Sequence, residues 1–150
     1  PADSRIRILH VGAALTPEMA SEAERCRANP RWHWLGARPH AETRRLIAGC
    51  RLLIQSSRME GGANTIVEAV SAGVPVLASD ISGNIGMLGE DYSGYYSLAD
   101  SQALAKLMRR AETKPDFYAE LATRCAARAP LFEPHCERTA VQNLIKEFEP

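Results

Sequence analysis

The 150-residue chain is 45% apolar and 24% charged, ordinary values for a globular domain large enough to bury a real core. Its 18 basic and 18 acidic residues cancel, so no net field draws it to nucleic acid or an acidic membrane surface, and any bound anion must be held locally. No apolar run reaches the roughly 18 residues of a membrane span, no signal peptide is visible, and Cys26, Cys50, Cys125 and Cys136 lack metal-type spacing, reading as free cytosolic thiols.

The chain opens on Pro1 in place of Met with a strand almost at once, so we expect a domain cut from a longer protein. Residues 6–12 are nearly continuous in apolar side chains, the pattern of an interior parallel strand. Thr16 is placed as an N-cap before Pro17 and Glu18, opening a helix with Met19, Ala23 and Cys26 on one face that ends before Asn29 and Pro30. Residues 32–36 alternate as a second strand, with Trp32 and Trp34 on one face. A loop through Arg38 and Pro39 leads to a short helix over 41–49 and a third strand over 51–55.

Residues 58–75 then carry a carboxylate, Glu60, two glycines, a helix from about Ala63, and a second carboxylate, Glu68, eight residues after the first. Gly73 and Pro75 stop that helix before a fourth strand over 74–78. Residues 79–86 are too rich in turn formers to predict regular structure. A short fifth strand over 94–97 follows, then a helix capped by Asp100 with Ala103, Leu104, Leu107 and Met108 on one face. Pro115 opens another, with Phe117, Tyr118, Leu121 and Cys125 inward, and Cys50 and Cys125 are expected to be buried. A last amphipathic helix over 134–148 uses Ala140, Val141, Leu144 and Ile145.

Strands alternating with helices at this spacing predict an α/β fold, a Rossmann-like parallel sheet of about five strands covered by helices on both faces. Ligands of such sheets gather at the carboxyl ends of the strands, which puts Gly12, Arg38, residues 58–60 and Asp80 on one expected rim. There the helix start offers unpaired amides and roughly half a positive charge to a phosphate. Gly61 and Gly62 leave room for close approach. Ionised carboxylates only accept hydrogen bonds, so Glu60 and Glu68 suit hydroxyl-rich groups such as sugars. The eight-residue spacing alone carries little, since glutamates are common; the run strand, Glu, Gly-Gly, helix, Glu, Ala-Gly-Val-Pro, strand carries more.

Glu60 through Glu68 resembles the E-x7-E motif of retaining, nucleotide-sugar-dependent glycosyltransferases of the GT-B fold, the "group 1" family (GT4). Residues 68–80 (EAVSAGVPVLASD) are similar to that family's E-A-x-A-x-G-x-P-V-x-A-x-D. The likeness spans nearly the whole chain and corresponds to the C-terminal, donor-binding domain. It implies that residues 1–150 bind a nucleotide-diphosphate sugar, UDP-sugar favoured, for transfer to an acceptor held by a missing N-terminal GT-B domain, and that this piece alone is inactive. It implies Glu60 as the catalytic carboxylate on hydroxyls of the transferred sugar and Glu68 on the ribose. Gly61, Gly62, Ala63, Asn64 and Thr65 would line the sugar and diphosphate, and Arg38 and Pro39 the base. No metal and no further cofactor are implied. The expected location is cytoplasmic, with peripheral attachment at the inner membrane face open through the missing domain.

The chain departs from the family pattern in three places. Gly62, Ala63 and Asn64 stand where an aromatic and a glycine are common; residues 82–86 lack the family's Pro and Glu; and nothing before Ile6 supplies the strand and turn for the Arg/Lys pair usual on the diphosphate. A finer resemblance, in residues 59–64 and 83–92, points to a bacterial branch of selenosugar synthases with selenophosphate as acceptor. A non-catalytic nucleotide-sugar-binding module and a sugar-nucleotide epimerase half stay open beside it. His10 reads as a strand-end packing residue, and Arg124 and Arg128 as a solvated helix face.

Overall fold

The computed structural model describes residues 3–148. In chain order these form β1 (Ile8–Val11), α1 (Pro17–Cys26), β2 (Trp32–Gly36), α2 (His40–Gly49), β3 (Leu53–Gln55), α3 (Asn64–Ser71) and β4 (Val76–Ser79). There follow α4 (Ser82–Leu88), β5 (Tyr95–Tyr96), α5 (Ser101–Thr113), α6 (Pro115–Arg128), a 3-10 turn (Ala129–Phe132) and α7 (Pro134–Glu147). The α/β class holds, and every strand pair is parallel. The chain divides into two compact units, one ending at Leu46 and one beginning at Ile47.

The strands form two sheets among the described residues, β1-β2 and β3-β4-β5, where one sheet of about five was expected. An apolar run identifies a strand but not its neighbours. In the first unit β1 pairs only with β2, from Ile8 opposite Trp32 to His10 opposite Trp34, with a register shift before Val11. Leu9 is 45% exposed, so β1 is not the buried interior strand its apolar run suggests. His10 packs edge-on to Trp32 at 5.5 Å between ring centres, the packing role expected of it. The Trp34 indole donates to the Gly12 carbonyl at 2.9 Å. Thr16 caps α1 as the sequence indicates: its hydroxyl accepts from the Met19 amide at 3.3 Å, and Pro17 takes the first turn.

The second unit is built on β4. It pairs with β3 on one side and β5 on the other, and all four of its residues are buried, as suits a central parallel strand. Ile66, Ala69 and Val70 of α3 and Phe117, Leu121 and Cys125 of α6 belong to the core around it. Tyr92 ties this core together by donating to the Val76 carbonyl, with the Cys125 sulfur 3.3 Å from its hydroxyl. Burial holds the Tyr92 phenol well above its usual ionisation range and pushes the Cys125 thiol up as well. Cys50 is only partly buried, its thiol donating to the Ile47 carbonyl at 3.0 Å.

The helix-to-strand handover after α3 follows the glycine. Gly73 sits at φ 73°, its amide donates to Val70 at 3.0 Å, and the Val74 amide reaches back to Ala69 at 2.8 Å. These two bonds make a Schellman turn, which occupies Val74 and delays β4 to Val76. Asp100 caps α5, its carboxylate accepting from the Ala103 amide at 2.8 Å. Asp100→Ala should therefore lower stability by about 1 kcal/mol. An unchanged urea midpoint would show the cap to be idle.

Further expectations fail. Residues 79–86, expected to be irregular, fall mostly in α4, Ser82–Leu88. Two glycines there weaken the intrinsic helix preference, but tertiary bonds hold the turn closed. Arg128 donates to the carbonyls of Met87 at 2.8 Å and Gly86 at 2.9 Å, the last turn of α4, and the Tyr95 hydroxyl donates to Gly89 at 2.8 Å. Arg128 is thus a helix clasp and not a solvated side chain. In α7 the amphipathic pattern is present, yet Val141, Leu144 and Ile145 are all more than 50% exposed.

Candidate functional site

At the carboxyl end of β3 the chain turns through residues 56–63 and enters α3. The last strand residue, Gln55, and the turn residues Ser57 and Glu60 converge. The Ser57 hydroxyl donates to Glu60 Oε1 at 2.7 Å, and the Gln55 amide nitrogen reaches the same oxygen at 3.2 Å. Thr65, in the first turn of α3, donates to Gln55 Oε1 at 2.8 Å. Glu60 is partly buried, whereas its neighbour Met59 is 88% exposed at the tip of the turn.

The turn is fixed from beneath by β4 and α4. Ser79, fully buried, donates to the Ser57 carbonyl at 2.7 Å. The Asn84 amide nitrogen donates to the Ser79 carbonyl at 3.0 Å and to the Ser79 hydroxyl at 3.1 Å. Gly83 lies so close to the turn that a Cβ there would stand 2.1 Å from the Glu60 carbonyl oxygen. Close approach thus requires glycine at 83. At Gly61 an added Cβ would meet nothing within 4 Å, and at Gly62 only the Met87 sulfur at 3.5 Å. The space before those two residues is open, and both are exposed.

The start of α3 is bare. Ala63 occupies the N-cap position with no side-chain cap bond. Among the described residues the amides of Gly62, Ala63, Asn64 and Thr65 donate to no protein acceptor. A row of unpaired amides at a helix start concentrates positive potential where no cation is needed. Glu68 is the fifth residue of α3 and partly buried, roughly 6 Å along the axis from Asn64 at the α-helical rise. Local structure therefore unites an acceptor carboxylate in the turn with a set of open donors and a second carboxylate on the helix that follows.

The other expected site residues are accounted for separately. Arg38 and Pro39 belong to the first unit and are exposed. Arg38 Nε lies 3.8 Å from Glu42, and the Pro39 carbonyl accepts from the Glu42 and Thr43 amides, starting α2. Asp80 accepts from the Leu98 amide at 3.0 Å, which gives it a structural task. A cleft of about 350 Å³ in the first unit, lined by residues that include Arg27, Trp32 and Trp34, contains none of the expected residues. Among the described residues no group of His, Cys, Asp and Glu is placed to hold a metal, and no helix is long and apolar enough to cross a membrane.

Gln55, Ser57, Ser79, Gly83 and Asn84 are absent from the expected site. A signal existed for two of them. Gln55 is a polar residue closing an apolar strand, and Ser57 stands three residues before a turn carboxylate. Ser79, Gly83 and Asn84 come from elements whose placement only the fold supplies.

The family model described as "Glycosyl transferases group 1" matches residues 3–131. Among solved structures, the chain is similar to HepE of Anabaena in complex with UDP and glucose, at 23% identity and a TM-score of 0.77 over 95% of this chain and 41% of that one. It is also similar to sucrose-phosphate synthase from Thermosynechococcus elongatus, at 19% identity and a TM-score of 0.77 over 94% of this chain and 38% of that one. A third is S. aureus TarM, in a complex that includes UDP, at 16% identity and a TM-score of 0.76 over 99% of this chain and 30% of that one. The chain thus spans about two fifths or less of the length of these structures, and the likeness is one of fold.

Proposed function

Since the chain belongs to the group 1 glycosyl transferases, we propose that it is the donor-binding half of a retaining glycosyltransferase that takes a nucleotide-diphosphate sugar. One observation carries the reading most directly: the uncapped start of α3 lies directly after a turn that holds Glu60 ready as an acceptor. The diphosphate lies against the amides of Gly62, Ala63, Asn64 and Thr65. The sugar hydroxyls donate to Glu60, and the ribose hydroxyls to Glu68. As the glycosyl bond breaks, negative charge grows on the departing diphosphate, and preoriented amides stabilise that charge without reorganising. The scheme calls for no metal. Arg38 and Pro39 are assigned to the base on the resemblance alone. UDP is favoured because HepE and TarM are solved with it. The acceptor would be supplied by a second domain, in keeping with the greater length of the similar structures.

The test is thermal unfolding with and without ligand. UDP or a UDP-sugar at about 100 times its dissociation constant should stabilise the protein by about 2.7 kcal/mol, and Glu68→Ala should abolish the shift. Absence of a shift with UDP-, GDP- and ADP-sugars alike would refute the reading.

A further inference from the structure

Glu60 is gripped on one side only. Its Oε1 accepts from Ser57 at 2.7 Å and from Gln55 at 3.2 Å, while its Oε2 accepts from nothing among the described residues. The donors cannot be reversed. A carboxylate offers only acceptors, so Gln55 must turn its nitrogen toward Glu60 and its oxygen toward the Thr65 hydroxyl, 2.8 Å away. Ser57 then spends its one proton on Glu60 and accepts from the Gln55 nitrogen at 2.7 Å. Each member of the chain from Thr65 through Gln55 and Ser57 to Glu60 has one consistent role. Ser57 cannot drift, because Ser79 holds its carbonyl at 2.7 Å.

We infer that Gln55, Ser57 and Thr65 are positioning residues for Glu60 and present its Oε2 as the oxygen that recognises the sugar. The inference rests on the proposed donor site and deepens it. An ionised carboxylate has about four acceptor positions, two on each oxygen. The protein uses those on Oε1. Glu60 is then left to accept one or two sugar hydroxyls through Oε2 alone, and it does not straddle two hydroxyls with one oxygen each. Sugar selectivity would depend on Gln55 and Ser57, which touch no ligand themselves.

The experiment is calorimetric titration of the full-length protein with UDP, UDP-glucose, UDP-galactose and UDP-N-acetylglucosamine. The readout is the ratio of the best sugar nucleotide's affinity to that of UDP. Ser57→Ala and Gln55→Met should each cut this ratio by roughly tenfold, the scale of a hydrogen bond to a charged group. Affinity for UDP itself should change less than about twofold, and Ser57→Thr, which keeps the hydroxyl, should restore the ratio. A purely structural role would weaken UDP and UDP-sugar together, and that result overturns the inference, as does an unchanged ratio in both variants. If the wild type binds UDP but no sugar adds affinity, Glu60 does not recognise sugar and the inference falls while nucleotide binding stands. If it binds no UDP compound, the donor-site reading falls first and takes the inference with it.

Discussion

Gly83→Ala should dislodge the turn that carries Glu60. The added Cβ would lie 2.1 Å from the Glu60 carbonyl oxygen and 2.7 Å from its carbonyl carbon, and both are backbone atoms that no rotamer change can move aside. Either α4 slides or the turn does. Overpacking of this kind costs typically about 1–3 kcal/mol. In a chain of this size that lowers the melting temperature by about 2–4 °C for each kcal/mol. Sugar-nucleotide binding should fall as well, since Glu60 moves with its own carbonyl. The control is on the same helix: at Gly86 a Cβ meets nothing within 4 Å. Gly86→Ala should be neutral or stabilising by up to about 1 kcal/mol, because alanine restricts the unfolded chain. Equal melting temperatures for the two variants would show that the contact at 83 is not tight.

Leu77→Ala should be the most damaging truncation on the central strand. Leu77 is fully buried in β4, which has a paired strand on each side, so the surroundings have little freedom to collapse into the space. Such changes cost about 2–5 kcal/mol, the spread reflecting how far the cavity closes. Leu144 in α7 removes the same atoms at a site 54% exposed, and Leu144→Ala should fall within about 0.5 kcal/mol of wild type. Urea denaturation of both variants distinguishes them. A comparable loss at Leu144 would mean that the α7 stripe is covered in solution.

The sequence made the local elements legible and left their partners out of reach. Thr16, Asp100 and Gly73 act at helix ends through bonds to residues only a few positions away, Pro17 and Pro115 through their fixed φ at the first helical turn, and each lies where the sequence puts it. Glu60, the open glycines and the bare start of α3 were legible for the same reason, being one continuous stretch. α4 was not, because its closure depends on Arg128, some forty residues on, which a local reading leaves in solvent. The division into two sheets was likewise invisible, since the apolar run of β1 says nothing about which edge is paired. Ser79 and Asn84 are small polar residues in turn-rich sequence; only the packing of β4 against α4 reveals that they support the turn from below.

The double anchoring of α4 has a consequence for how a ligand arrives. Its first turn abuts Glu60 through Gly83, and its last turn is clasped by Arg128 and Tyr95. That wall is in place before any encounter. Association there need not freeze a disordered segment, and so avoids the ordering entropy of about 0.5–1.5 kcal/mol for each immobilised side chain that flexible sites incur. Capture on this side then requires no folding of a loop. Outside that wall, at the tip of the turn, Met59 stays exposed to solvent.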